Sequence, residues 1–335
     1  MKFSIKQIAA QSGVSKATVD RALHQRGSVH PQTERRIAQG IRDLELQHRV
    51  SLASGRTLPI DIVLHTPERF SQLVTEALLS QISSFAPFRL ALRFHIFEQI
   101  SVSGLQRLLL RCSADSYGVL LKASDEVPLN QAVAELLKLR VPVVTLVTDL
   151  PHSMRIRYVG MENHNAGRTA AYLLARWLEP APQSVAVVLS SDGFRGEEQR
   201  VDGFCEALQQ LAPQLRVRRV SGGYGVNQLT LPQIEQALVQ HQDIHAVYSV
   251  GGANTAIIDA FNQAQRRLKV FIAHDLDAEN RQLLRQGKLD AVIDHDLRQD
   301  ARSAFQAILQ FHGFLAPEEE PGHFSRVNVV TPYNV

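Results

Sequence analysis

The sequence predicts a small N-terminal three-helix module containing a helix-turn-helix, followed by a two-lobed α/β core with two parallel sheets covered by helices. Three observations predict this. Capping residues and a turn glycine punctuate three short amphipathic segments within residues 1–50. Apolar runs rich in β-branched residues then alternate with helical patterns, as strands buried on both faces require. Charge is also uneven: residues 1–56 carry ten Lys or Arg against four Asp or Glu, in a chain of 335 residues with formal net charge +3. A basic module on a weakly acidic body suits a polyanionic partner.

Ser4 and Gln7 are spaced as a capping box for a helix with Ile5, Ile8 and Ala9 on one face. Gly13 ends that helix, and Ser15 suits the cap of a second with Val19 and Leu23 turned inward. Pro31 suits the first turn of a third, whose Ile37, Ile41 and Leu44 are spaced for burial. These define a DNA-binding unit over residues 1–50. The small, polar stretch with Ser51, Ser54, Gly55 and Thr57 predicts a linker over 51–59, leaving 60–335 as a second, larger domain. Strand-like runs fall at 60–65, 118–121, 142–147, 185–189, 246–250, 269–273 and 291–293, with helical patterns at 165–178, 198–211 and 299–312. A break near 159–163 divides them into lobe 1, about 60–159 and 296–328, and lobe 2, about 163–293. RVNVVTPYNV reads as a last strand.

In the second helix, turning Val19 inward leaves Lys16, Ala17, Asp20 and Arg21 exposed. Arg and Lys suit guanine O6 and N7, and Ala suits a thymine methyl. The hydroxyls of Ser15 and Thr18 are placed for phosphate. Residues 5–37, IKQIAAQSGVSKATVDRALHQRGSVHPQTERRI, resemble the headpiece of the lac repressor (LacI/GalR) family. The resemblance implies that Lys16, Ala17 and Arg21 read bases while Ser15 and Thr18 touch the backbone. Asp20 stands where many members have serine, and an acid there shifts operator preference toward a donor such as the cytosine amino group. LELQHRVSLASGR keeps Leu52, Ala53, Gly55 and Arg56 of the family hinge but lacks its Tyr-x-Pro-Asn and is about three residues short. The resemblance makes Leu52 the candidate wedge for the minor groove.

The remainder resembles the family's periplasmic-binding-protein-like core. In open parallel sheets, ligands bind beyond the carboxyl ends of the strands. Polar residues there include His65, Asp149, Gly252 and the pair Asp192 and Arg195. Asp275 follows the strand KVFIAH where family members carry an acid after Gly-Tyr, which implies contacts to ligand hydroxyls. Glu198 falls where many sugar binders have arginine, and His295 where glutamine is frequent. His65, Asp149, Arg195, Glu198, Gly252, Asp275 and His295 are therefore the candidate effector residues, and a sugar, polyol or derivative the expected ligand.

No cofactor or metal is expected. Cys112 and Cys205 form no CxxC pair, and neither a Walker loop nor HExxH or GxSxG is present. Asp294, His295 and Asp296 alternate along a strand end, so they face opposite ways. Tyr224 in GGYG reads as a loop residue. The N-terminal MKFSIKQIAAQ lacks the apolar stretch of a secretory signal, and no run is long enough for a bilayer, so a cytoplasmic protein without a membrane partner is expected. The expectation is a repressor, homodimeric on a near-palindromic operator and controlled by a small polar effector. The alternatives are a sugar-binding protein with no DNA role and an α/β sugar-acting enzyme.

Overall fold

Local hydrogen bonding sets the first three helices, α1 (Ile5–Ser12), α2 (Lys16–Leu23) and α3 (Pro31–Ala53). The computed structural model describes residues 2–26, 28–191, 193–317 and 324–335, with backbone alone at Leu52 and Ala53. Gln7 N–H donates to Ser4 Oγ, and the Gln7 side chain accepts from Ser4 N–H, closing the capping box. Gly13 turns the chain in the left-handed region, and Arg36 of α3 donates to the Ser12 and Gly13 carbonyls at 2.9 and 3.2 Å. Ile8, Ala9, Val19 and Ile37 seal a small core between the three helices.

The third helix runs further than its sequence suggests. It continues to Ala53, and the first strand begins at Thr57, so the linker expected over 51–59 narrows to residues 54–56. The physical reason is tertiary: Val50 packs against the core of lobe 1, and Arg49 lies where a Cβ on Gly313 would sit. Leu52 falls in the last turn of α3, and its side chain lies outside the described residues.

Lobe 1 contains β1 (Thr57–His65), α4 (Glu68–Gln81), β2 (Arg89–Phe97), α5 (Val102–Arg111), β3 (Gly118–Lys122), α6 (Val127–Lys138), β4 (Val143–Leu146) and β5 (Arg157–Val159). Its parallel sheet has the order β2-β1-β3-β4-β5. Lobe 2 contains α7 (Asn163–Trp177), β6 (Gln183–Val188), α8 (Arg195–Leu211), β7 (Leu215–Val220) and α9 (Asn227–Gln240). It continues through β8 (Ile244–Ser249), α10 (Asn254–Gln263), β9 (Val270–His274), α11 (Ala278–Arg285) and β10 (Ala291–His295). The chain then recrosses to lobe 1, where α12 (Leu297–Phe311) buries Ala304, Phe305 and Ile308 in the core between α4 and the sheet, alongside β4 and β5. It returns as β11 (Val327–Val330), antiparallel on the edge of β10, giving the order β11-β10-β9-β8-β6-β7. Residues 327 and 328, expected in lobe 1, thus lie in the lobe 2 sheet, where they pair backbone groups that the β10 edge would leave open.

Between α7 and α8 the backbones nearly touch: a Cβ at Gly167 would stand 1.9 Å from the Arg200 carbonyl oxygen, and one at Gly203 would stand 2.0 Å from that of His164. Only glycine permits that approach, and it fixes the position of Arg200. No helix among the described residues is long and apolar enough to cross a membrane.

Candidate functional site

Two regions collect the polar residues that the folded core does not consume: the outer face of α2 and the cleft between the lobes.

On α2, Val19 is fully buried while Lys16, Ala17 and Arg21 are exposed. Ser15 caps the helix by accepting from Thr18 N–H at 3.1 Å, and the two hydroxyls lie 2.8 Å apart. Arg21 lies along its own helix, with contacts of 3.4 Å to the Ala17 carbonyl and 3.5 Å to Thr18 Oγ1. Asp20 faces His24 and Arg26 at 3.5 and 3.6 Å. All of these contacts to Arg21 and Asp20 are long and exposed, so each side chain is released at little cost when a better partner arrives.

The cleft is lined by residues that follow the carboxyl ends of strands in both lobes: Thr66 after β1, Lys122 at the end of β3, Thr148 after β4, Ser190 after β6, Gly251 after β8 and Asp275 after β9. Its volume is about 510 Å³ including the mouth. Hydrogen bonds between the lobes hold it closed. Arg69 of α4 crosses from lobe 1 to donate to Asp277 at 2.5 Å and to the Gly251 carbonyl at 3.3 Å. Gly252 makes room for it, since a Cβ there would stand 1.4 Å from the Arg69 guanidinium. Gly196 N–H donates to Thr148 Oγ1 at 3.1 Å, a second bond between the lobes.

The charged groups inside are well buried. Arg200 is 4% exposed and donates from Nε to Asn163 Oδ1 at 2.8 Å. Lys122 is 7% exposed; its Nζ lies 3.4 Å from the His65 carbonyl oxygen and 4.2 Å from the centre of the Phe194 ring. Burial pulls the Lys122 ammonium down to about 8, with Glu197 and Asp275 opposing the shift and Arg200 adding to it. Glu197 is bonded through both oxygens to Ser190, at 2.5 Å from its hydroxyl and 2.8 Å from its N–H, and burial still raises its carboxyl. Burial would raise Asp275 too, but the nearby His295 and Arg200 hold it well below the usual carboxylate range. His295 sits between Asp275 at 3.2 Å and Asp300 at 3.4 Å, contacts that suit charge pairing better than directed hydrogen bonds. Burial opposes the His295 cation, yet these two acids raise its pKa, while burial pushes Asp300 up to about 6.

Of the residues expected to meet the effector, Asp275 lines the cleft and His295 stands directly behind it. Gly252 backs the Arg69 crossing, and His65 packs edge-on against Phe194 at 5.8 Å. Asp149 is engaged elsewhere: it accepts from Arg155, Thr145 and Leu150 N–H in the turn after β4. Arg195 is exposed in the first turn of α8, and Glu198 lies one position beyond the lining Glu197. Glu197 and Arg200, three residues apart, share the helix face that meets the cleft, so the expected pair is displaced from the lining pair. Asp192 lies outside the described residues. Lys122, Glu197, Arg200 and Arg69 were not anticipated.

A further buried group, Asp61, His95 and Cys112, lies in lobe 1 away from the cleft. Asp61 already accepts from Arg93 at 3.0 and 2.5 Å and contacts His95 at 2.8 Å, and burial pushes the Cys112 thiol up to about 12. A protonated thiol and a carboxylate shared with a guanidinium describe an ion pair inside the fold rather than a metal-ready set.

The profile described as bacterial regulatory proteins, lacI family, matches residues 4–47, and that of a periplasmic binding protein domain matches residues 113–312. No curated protein matches the chain. Among solved structures, the chain is similar to GanP, a glucose-galactose binding protein from Geobacillus stearothermophilus, at 20% identity and TM-score 0.73, covering 84% of this chain and 99% of that one. It is also similar to a candidate LacI transcriptional regulator from Bacteroides fragilis, at 14% identity and TM-score 0.72, covering 83% and 97%. A third is a periplasmic solute binding protein of an ABC transporter from Actinobacillus succinogenes 130z with bound D-allose, at 17% identity and TM-score 0.71, covering 83% and 98%. With a helix-turn-helix headpiece and a closed two-lobed core in one chain, the protein carries a DNA-binding domain of the lacI family of bacterial regulatory proteins and, over most of its length, belongs to the periplasmic binding protein domain family.

Proposed function

We propose that the protein is a cytoplasmic repressor that binds a near-palindromic operator as a homodimer and is controlled by a small polar effector held in the interlobe cleft. The observation that carries this reading is the single helix α3, which belongs to the headpiece at Pro31 and rests on lobe 1 at Val50. One helix thereby joins the DNA-reading face to the lobe that supplies one wall of the cleft. The glucose-galactose and D-allose ligands of the two similar solute-binding proteins support a sugar, polyol or derivative as effector. A lone headpiece reads one half-site, so two-fold pairing of the chain suits an inverted repeat. The cleft carboxylates are occupied by Ser190 and His295 rather than poised around a reacting atom, which favours binding over turnover. Recovery of the effector unchanged after incubation with the protein checks that point.

The test is selection of sites from a pool of random duplexes by the full-length protein. Two inverted half-sites are expected. Arg21→Ala should weaken binding by about 1–3 kcal/mol at one position of each half-site and relax the preference there. An unaltered selected sequence with Arg21→Ala would remove α2 as the reading helix.

A further inference from the structure

The unused hydrogen-bonding capacity of the cleft is mostly cationic. Its two lining carboxylates are largely committed: Glu197 spends both oxygens on Ser190, and Asp275 turns Oδ1 toward His295. Its two deeply buried cations are not. Among the described residues, no group accepts from the terminal nitrogens of Arg200, which is bonded through Nε alone. Among the described residues, Lys122 has only the 3.4 Å contact to the His65 carbonyl and two aromatic faces, Phe194 at 4.2 Å and Phe70 at 5.7 Å. A buried ammonium with so little compensation is costly, and cation–π contact offsets only part of that cost.

From this arrangement we infer that the effector is a hydroxylated oxyanion, a sugar acid or a sugar phosphate, whose anionic group sits between Lys122 of lobe 1 and Arg200 of lobe 2. The inference rests on the reading of the cleft as the effector site and narrows it. Arg200 depresses the Lys122 pKa, so the two cations disfavour one another across the cleft, and an anion between them turns that repulsion into two attractions. The planar Arg200 fork suits two oxygens of a carboxylate or phosphate, and the Lys122 ammonium supplies a point charge from the opposite wall. The polyol part has its own acceptor in the second oxygen of Asp275, and donors or acceptors in Thr66 and Thr148. Because the anion engages both lobes at once, its binding energy is gained only when the cleft is closed. That is the differential affinity a switch requires.

The experiment uses matched triplets with the full-length protein: glucose, glucuronate and glucose 6-phosphate, then galactose, galacturonate and galactose 6-phosphate. Thermal shift and titration calorimetry read binding. In the favourable triplet an anionic member should bind about tenfold or more tighter than the neutral sugar. The preferred arm distinguishes carboxylate from phosphate. Lys122→Gln should abolish that preference, and Lys122→Arg should restore most of it, which a purely structural role for Lys122 would not reproduce. Equal or tighter binding of the neutral sugar, or binding of no anion at millimolar concentration, overturns the inference. Operator affinity is measured in parallel and separates the two readings. An anion that binds without changing operator affinity defeats the regulatory proposal alone, and a neutral sugar that changes it defeats this inference alone.

Discussion

The two walls of the cleft are built differently. Lobe 2 presents Glu197, Arg200 and Asp275, each braced from behind by Ser190, Asn163 or His295. Lobe 1 presents Arg69 and Lys122, long side chains anchored at their own end by little besides packing, and among its described lining residues there is no carboxylate. Lobe 2 therefore holds fixed binding geometry, whereas lobe 1 supplies cations that reach across. On the proposed reading of the cleft, the difference assigns recognition to the braced wall, which would select the ligand, and closure to the reaching wall, which would report its arrival.

The largest effect should follow from breaking the braced wall. Asp275→Ala removes the carboxylate that balances buried His295, Arg200 and Lys122, and breaking such a pairing typically costs about 3–5 kcal/mol. Asp275 also occupies the left-handed region at φ 63°, which aspartate and asparagine tolerate better than alanine. Asp275→Asn should therefore lose much less stability in chemical denaturation and yet lose the effector's influence on operator binding. A parent-like response from the Asn variant would make Asp275 a turn residue and place the ligand elsewhere.

Breaking the reaching wall should cost less. Arg69→Ala leaves Asp277 Oδ2 without its partner while Oδ1 still caps α11, and a buried acceptor left unmade costs about 1–3 kcal/mol. Gly252→Ala attacks the same crossing from lobe 2, since its Cβ would occupy the Arg69 guanidinium at a backbone φ of 89°. Each variant should open the ligand-free molecule, read as a larger radius of gyration in solution scattering. Combining them should add little, because both remove one contact. Full additivity of the two would mean that Gly252 acts through its backbone alone.

The smallest and sharpest test is pH. Lys122 titrates near 8 in the folded protein, below the 10.5 of a free lysine. Between those values the unfolded chain binds more protons, so this residue's contribution to ligand-free stability improves as pH rises through 8. An anion requires the charged ammonium, so its affinity should fall over the same range, by at most about tenfold per pH unit. Burial, aided by Arg200, sets where the fall begins, and Glu197 and Asp275 hold it from starting lower still. Calorimetry from pH 6.5 to 9.5 should give a flat profile for Lys122→Gln; the same decline in that variant would assign the proton to another group.

What was legible in the sequence follows the range of the interactions involved. The headpiece could be read almost residue by residue because Ser4, Gln7, Gly13 and Ser15 act within one helical turn of themselves. The central strands announced themselves as unbroken apolar runs. Strands β2 and β7 did not, because each is a sheet edge in which Arg89, Arg93 and His95, or Arg216, Arg218 and Arg219, interrupt the apolar positions. The cleft was harder. Expecting α8 to start at 198 rather than 195 hid its true phase, and Phe194 gives that start no side-chain cap. A usable signal was present, since Glu197 and Arg200 fall on the stripe of Val201, Phe204 and Leu208, and charges on an apolar stripe mark a polar cavity. Lys122 closes the otherwise apolar GVLLK strand, and the crossing from Arg69 to Asp277 joins residues 208 positions apart, which no local pattern records.

The unbroken run of α3 makes it a lever. Its 23 residues span about 34 Å at about 1.5 Å per residue. Its foot is clamped on lobe 1 by Val50 and Arg49, while its far end carries the turn that presents α2. A tilt of only about 5° at the foot sweeps the far end through about 3 Å, close to the roughly 3.4 Å that separates successive bases along a strand. If two such arms grip one operator, as proposed, a lobe movement too small to notice at the ligand would shift both readers out of step with the bases. The short link of residues 54–56 then acts as the fulcrum, and lengthening it would disengage the switch without touching either site.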